Sequence, residues 1–328
     1  MLPFEKRKPG ILTKKESVTS SKFGCYPEER SVEKLIHYGI VNLDKPSGPT
    51  SHQVSAYVQK ILAIEKAGHS GTLDPRVTGV LPVALDKATR IVNSLLKAGK
   101  EYIALIQFHK PVTEKELDKI NKHFTGIIKQ MPPVKSAVKR RLRDRKIYYI
   151  ELIDISEDNK YILVRIGCEA GTYIRKLAHD MGELLGKGAH MAQLRRTKAG
   201  PFNEETNLVT LQNLKDAYWY WKNKEDESHI RNTIMPVEYA VNHLPKIWVL
   251  DTAVNSITQG ASLKIPGVSK IEDDIKKGDV IAILTLKREL VSIAEAKMNS
   301  NEIIRKNKGI VSKPIQVFMK PNIYPRPE

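Results

Sequence analysis

The stretch Gly68-His69-Ser70-Gly71-Thr72-Leu73-Asp74-Pro75-Arg76-Val77-Thr78-Gly79 constrains this chain more than any other. It carries Gly68, Gly71, Gly79, Pro75 and a single carboxylate, Asp74, and it stands between two regular segments. Before it, Thr50 and Gln53 have the spacing of a helix-opening capping box, and Val54, Val58, Ile61 and Leu62 then recur on one helical face. After it, Val80-Leu81-Pro82-Val83-Ala84-Leu85 is an apolar, strand-like run. Glycine lets a main chain turn sharply and come close to a ligand, so the stretch reads as a loop folded tightly around something. Neither G-x-x-x-x-G-K-[ST] nor G-x-G-x-x-G occurs in it, which leaves a nucleotide-binding reading weak. Taken alone, Asp74 is either the start of an Asp-Pro turn or a reactive carboxylate.

A second polar island is Gly171-Thr172-Tyr173-Ile174-Arg175. It opens a predicted helix whose apolar side is Ile174, Leu177, Ala178, Met181, Leu184 and Leu185. Arg175 lies one residue off that side, at an end where the helix dipole disfavours a cation by ~0.3–1 kcal/mol. A cation placed there needs an anion, either a phosphate or a carboxylate such as Asp74.

Charge points the same way. The net charge is +17, which suits a polyanionic partner. Much of it sits in Lys135, Lys139, Arg140, Arg141, Arg143, Arg145 and Lys146 against a lone Asp144. Met131-Pro132-Pro133 opens this run in extended form and strand-like residues 147–152 close it. It therefore reads as a loop projecting from a sheet, where cations reach phosphates, with a merely solvated face as the alternative. Cys25 and Cys168 form no C-x-x-C, which argues against a zinc ribbon or disulfide framework. No apolar stretch approaches the ~18 residues of a membrane span, and no secretory signal pattern opens the chain.

Elsewhere, residues 1–30 read as a flexible arm or strap, 38–43 and 102–108 as strands, and Leu117, Ile120 and Phe124 as one face of a short helix. Residues 147–154 and 161–168 look like an antiparallel pair. Residues 236–246 look like a hinge. Beyond it, strands at 247–250, 280–286 and 290–296, with turns at Gly260, Gly267 and Gly278-Asp279, suggest a small all-β barrel. The whole reads as a large α/β domain followed by a β-barrel module.

The loop motif Gly68-His69-Ser70-Gly71-Thr72-Leu73-Asp74-Pro75 closely resembles the central motif of the TruB family of RNA pseudouridine synthases. So do Lys45-Pro46-Ser47-Gly48-Pro49-Thr50-Ser51, Lys100-Glu101-Tyr102, Gly171-Thr172-Tyr173-Ile174-Arg175 and Gly188-Ala189-His190-Met191-Ala192-Gln193-Leu194-Arg195-Arg196-Thr197, in the family's order. The C-terminal barrel resembles the PUA module. Within the family the chain is most similar to the archaeal and eukaryotic branch, the dyskerin-type catalytic subunit of H/ACA guide-RNA particles. The resemblance implies an α+β fold, a mixed, largely antiparallel sheet flanked by helices, with a PUA barrel appended. It divides the chain into an arm (1–30) that packs on the PUA module, a catalytic domain (31–245) and the PUA domain (246–328).

By that resemblance Asp74 is the catalytic aspartate, acting as nucleophile or as a base on the sugar. Tyr102 stacks on the flipped uracil and assists proton transfer, Arg175 pairs with Asp74, and Leu194, His69 and Lys45 contact the substrate. Lys139, Arg140, Arg141, Arg143 and Arg145 would bind RNA. No metal, ATP or redox cofactor is implied, and one carboxylate suffices because the reaction admits no water, unlike glycoside hydrolysis with its two acids. The implied partners are an H/ACA guide RNA, a ribosomal or transfer RNA substrate, the small H/ACA core proteins and a kink-turn-binding ribosomal-type protein. Bacterial members carry an acidic T-D-T-type stretch where this chain has Phe108-His109-Lys110-Pro111-Val112-Thr113, and a less basic stretch where it has Lys139-Arg140-Arg141-Leu142-Arg143. Both departures favour guide-directed modification, and the missing lysine-rich tail favours an archaeal cytoplasmic enzyme. The alternatives are a stand-alone transfer RNA T-loop synthase and, from another class, a non-catalytic RNA scaffold or chaperone.

Overall fold

Apolar runs punctuated by glycine and proline build two sheets in this protein, of which the computed structural model describes residues 1–132, 139 and 141–326. A short strand, β1 (Ile11–Thr13), precedes α1 (Val32–Tyr38), β2 (Gly39–Lys45), α2 (Ser51–Leu62), β3 (Ala67–His69) and β4 (Thr78–Leu85). Next come α3 (Val92–Leu96), β5 (Lys100–Phe108), α4 (Glu114–Phe124), β6 (Gly126–Gln130), β7 (Arg143–Ile155) and β8 (Tyr161–Cys168). They are followed by α5 (Ile174–Leu185), β9 (Ala189–Ala199), β10 (Phe202–Asn203), β11 (Leu208–Val209), α6 (Leu211–Lys224), α7 (Ser228–Thr233) and β12 (Met235–Pro236). The chain ends in β13 (Lys246–Val249), α8 (Asp251–Thr258), β14 (Leu263–Lys264), β15 (Val268–Glu272), β16 (Val280–Thr285), β17 (Leu290–Ala296), α9 (Ser300–Arg305) and β18 (Ile310–Val317).

The larger sheet runs β11-β2-β4-β9-β5-β8-β7-β6, with β3, β10 and β12 attached beside it. Its pairs are antiparallel except β4 with β9 and β11 with β2, so it is mixed but largely antiparallel. Helices form where local chemistry directs them. Thr50 Oγ1 accepts from Gln53 N at 3.1 Å while Gln53 Oε1 accepts from Thr50 N at 2.8 Å, closing the capping box of α2. Val54, Val58 and Leu62 of that helix are buried against β2 and β4. Ile174, Leu177, Ala178 and Met181 of α5 pack into a core with Ile106, Ile150 and Ile166.

The second sheet, β1-β15-β13-β16-β17-β18-β14, is the β module, and four of its strands (β1, β14, β15 and β18) fall outside the runs recognised in the sequence, as do α8 and α9, which add Val254, Ile257 and Ile303 to its core. Its first strand comes from the arm: Ile11, Leu12 and Thr13 face Glu272, Ile271 and Lys270. Arg7 adds ion pairs to Glu272 and Asp274 at 2.6 and 2.7 Å.

Two local expectations change. The supposed hinge is packed: Val237, Ala240 and Val241 are buried in one cluster with Ala88 and Ile91 on one side and Ala282, Leu284 and Ile293 of the barrel on the other. Apolar side chains at successive turns of this segment bury it, so it joins the two sheets through a shared core. The basic run is also not all loop. Arg143, Arg145 and Lys146 lie within β7, opposite Gln130, Ile128 and Ile127 of β6, so main-chain pairing with β6 carries the ladder into the charged stretch. Lys135 and Arg140 lie outside the described residues.

Candidate active site

The loop carrying Asp74 is stapled from beneath. Lys45, at the end of β2, is fully buried, and its Nζ donates to the carbonyls of Pro46, Pro75 and Val77 at 2.8, 2.9 and 2.9 Å. Ser51, at the start of α2, accepts from Leu73 N at 2.9 Å and donates to Leu73 O at 3.2 Å. Gly48 N donates to Pro75 O and Val77 N to Asp74 O, both at 3.0 Å. Buried backbone groups of a loop need such partners, and here the flanking strand and helix supply them. Leu73 consequently points inward while the Asp74 side chain stays about half exposed (53%). This corrects the expectation for Lys45: an ammonium with all three donors committed to main-chain carbonyls holds the loop and has none left for a substrate.

Arg175 meets Asp74 in an ion pair across 101 residues of sequence, both side chains being more than half exposed. The anion that a cation at this helix end requires is thus Asp74. The turn before α5 is held from the neighbouring strands. Gln130 exchanges two hydrogen bonds with the Tyr173 backbone, at 3.0 and 3.2 Å, and Arg145 Nε donates to Gly171 O at 3.1 Å. Arg145 therefore spends its guanidinium partly on the Arg175 turn. Arg143 donates to Lys139 O at 3.4 Å, and Lys139 and Arg141 are exposed.

Tyr102 stands on β5 beside β9. Its side chain hydrogen-bonds the guanidinium of Arg196, and burial pushes the phenol pKa up while Arg196 pulls it down. Arg196 is 1% exposed and also donates Nε to Val80 O at 2.8 Å and Nη2 to Gly71 O at 3.2 Å. It ties together the Asp74 loop, β4 and the Tyr102 strand. The sequence reading passed over it, although one signal existed: of two adjacent arginines on a strand, one must face in. Arg195 faces the other way, to Asp44 and Glu204 at 3.0 and 2.5 Å. Where β4 meets β9, Gly79 has φ +101° and a Cβ there would lie 2.2 Å from Arg196 O, so only glycine fits.

Leu194 lies opposite Ala104 and is half-buried against the same core as Tyr102. His69 on β3 stacks edge-on against His52, with centroids 4.8 Å apart, and both its ring nitrogens are buried without hydrogen-bond partners. Burial, then His52 and Arg196, bring its pKa down to about 4, so it is neutral and serves packing. Among the described residues, no three His, Cys, Asp or Glu side chains converge as a metal site, and no helix is long and apolar enough to cross a membrane.

Comparison with known proteins gives this geometry its family. Residues 59–115 and 109–174 match the TruB family pseudouridylate synthase N-terminal domain, and 175–242 match the tRNA pseudouridylate synthase B C-terminal domain. A PUA domain covers 245–318 and a DKCLD (NUC011) domain 2–55. Proteins named probable tRNA pseudouridine synthase B from Methanopyrus kandleri and Pyrococcus abyssi are 51% and 52% identical, each over 99% of this chain and over 95% and 97% of their own lengths. Among solved structures, a Cbf5-Nop10-Gar1 complex matches with TM-score 0.93 and 51% identity, covering 99% of this chain and 98% of that one. A chain in an H/ACA RNP bound to a substrate RNA containing 2'-deoxyuridine matches with TM-score 0.92 and 49% identity, covering 99% of both chains. With about half its residues identical over nearly its full length, and its fold shared throughout, this chain belongs to the TruB family of pseudouridylate synthases.

Proposed function

We propose that this chain isomerises uridine to pseudouridine in RNA selected by a guide RNA, as the catalytic subunit of an H/ACA-type particle. The observation that carries the reading is the Asp74–Arg175 pair, presented on a stapled loop beside Tyr102 and Arg196, in a chain that superposes from arm to barrel on the subunit of an RNA-bound H/ACA particle. A stacked base hides its glycosidic bond, so the target uridine has to swing out over this loop. Tyr102 offers a ring for it to stack on. Asp74 then acts on the sugar, as nucleophile or base, while the N1–C1′ bond breaks; the uracil turns, the C5–C1′ bond forms, the C5 proton leaves and N1 regains a hydrogen. Arg175 keeps the carboxylate aimed and balances its charge. Leu194 forms a pocket wall.

The partners in this reading are a guide RNA, a ribosomal or transfer RNA substrate, small proteins of the kind solved with Cbf5 (Nop10 and Gar1) and a kink-turn-binding protein. Its setting is an archaeal cytoplasm, in keeping with the organisms of the relatives. The names of those relatives point to transfer RNA as a substrate, and a synthase acting on it without a guide is the second reading. Tritium release from 5-tritiated uridine RNA separates the two. Changing only the guide's pairing sequence should retarget release to a new uridine, and Asp74→Asn should abolish it while RNA affinity is kept. Equal, guide-insensitive rates on a bare transfer RNA would establish the second reading instead.

A further inference from the structure

A row of side chains crosses four strands just behind Tyr102. It starts on β7, where the Tyr149 hydroxyl donates to Glu101 Oε2 of β5 at 2.5 Å. Between them lies β8, and Gly167 makes the crossing possible: a Cβ there would sit 2.3 Å from the Tyr149 ring. Glu101 is 5% exposed, and its other oxygen accepts from Thr197 Oγ1 of β9 at 2.8 Å. Lys198 Nζ lies 3.6 Å from Glu101 and 2.8 Å from Glu5, which comes from the arm next to the fully buried Leu2.

Thr197 occupies an unusual place in the ladder. Glu101 pairs with Lys198 and Tyr102 with Arg196, so Thr197 is the unpaired extra residue of a bulge in β9. A bulge re-aims the side chains beside it, and a one-residue slip sends each to the opposite face. A slip here would exchange Arg196, which reaches Tyr102 and Gly71, for its outward neighbour Arg195.

We propose that Glu101 is a positioning residue: by holding Thr197 it locks the β9 bulge in the one register that turns Arg196 toward Tyr102 and the Asp74 loop. Tyr149 and the Glu5–Lys198 link from the arm hold Glu101 in turn. This rests on the reading of Asp74 and Tyr102 as the reacting site.

The test uses the assembled guide-RNA complex with Thr197→Val, Thr197→Ser, Glu101→Met, the Thr197→Val/Glu101→Met double variant and Asp74→Asn. Methionine keeps the length of Glu101 but has no oxygen to accept from the Thr197 hydroxyl, whereas glutamine would keep one. Misplacing a catalytic group by about 1 Å costs up to a hundredfold in rate, so Thr197→Val and Glu101→Met should each lower the single-turnover rate about tenfold or more at unchanged RNA affinity. Thr197→Ser keeps the hydroxyl and should restore the rate. The double variant should be no slower than the slower single, because both remove one link. Should Glu101→Met not fold, the Thr197 pair decides alone. Thr197→Val at the wild-type rate, an affinity loss in place of a rate loss, a failed serine rescue or multiplying effects would each overturn the inference. If Asp74→Asn is inactive in the same preparation, the active-site reading survives that failure; if Asp74→Asn turns over normally, that reading falls and this inference with it.

Discussion

Replacing Lys45 by methionine separates two roles that sequence motifs cannot distinguish. Methionine preserves the buried unbranched stem but removes the ammonium that serves the carbonyls of Pro46, Pro75 and Val77. A hydrogen bond to a charged donor contributes about 1.5–3 kcal/mol, so three lost bonds weigh about 4.5–9 kcal/mol. Against this, the variant no longer desolvates an ammonium, which recovers several kcal/mol. That desolvation is visible in the Lys45 pKa, lowered chiefly by burial and raised by Asp74. The net loss is about 2–4 kcal/mol, because the three carbonyls remain and cannot all reach water. At roughly 2–4 °C per kcal/mol for domains of 150–250 residues, the melting midpoint should fall by about 4–16 °C. Differential scanning calorimetry gives the midpoint, and filter binding at several salt concentrations gives the RNA affinity and its salt slope. The expected pattern is a lower midpoint, a slower isomerisation rate and an unchanged salt slope. An unchanged midpoint with weaker binding and a slope reduced by about one phosphate would refute the reasoning and return Lys45 to the substrate.

Three further expectations concern the surface and acid. Neutralising Arg140, Arg141 and Arg143 together should flatten the dependence of log affinity on log salt by up to about three phosphate equivalents, and an unchanged slope would make the stretch a solvated face. Arg145→Ala should act differently, slowing turnover through the Gly171 turn with less effect on the slope. His69 and His243 are both brought down to about 4 by burial. Between the ordinary histidine pKa near 6.5 and about 4, the unfolded chain binds protons that the folded chain refuses, so their contribution to stability is complete above about pH 6.5 and is lost as pH falls toward 4. Denaturant midpoints measured across that window should drop less steeply in His69→Gln than in the wild type; parallel curves would show that His69 titrates normally in the fold.

What the sequence made legible was local or paired by chemistry. The capping box of α2, the apolar face of α5 and the strands β5, β8 and β17 follow from period and punctuation within a few residues. The Asp74–Arg175 contact was also within reach, since a helix N-terminal arginine demands an anion and the Asp74 loop offers one. Arg196 was not, because which of two adjacent arginines faces inward depends on a bulge at Thr197, and that bulge depends on Glu101 across the sheet. The role of Lys45 was hidden for a similar reason: two of its acceptors belong to a loop about thirty residues away. Helix α1 was missed because seven residues hold too few turns for a period to show. The connection at 236–246 read as a hinge because its burial comes from two sheets that only the fold brings together.

The pairing of β1 with β15 also sets a timetable. Gly10 and Asp273, hydrogen-bonded beside that pair, stand 263 positions apart. At about 5–20 residues per second of synthesis, the arm waits roughly 13–50 s for its partner to leave the ribosome. During that interval Leu12 lacks the core it packs against, and when the barrel forms, β15 is an unpaired edge until the arm arrives. Open edges recruit other strands. A chain released with its arm delayed, tagged or trimmed would therefore be exposed to self-association through β15, so the first strand to be made is the one whose late docking closes the fold.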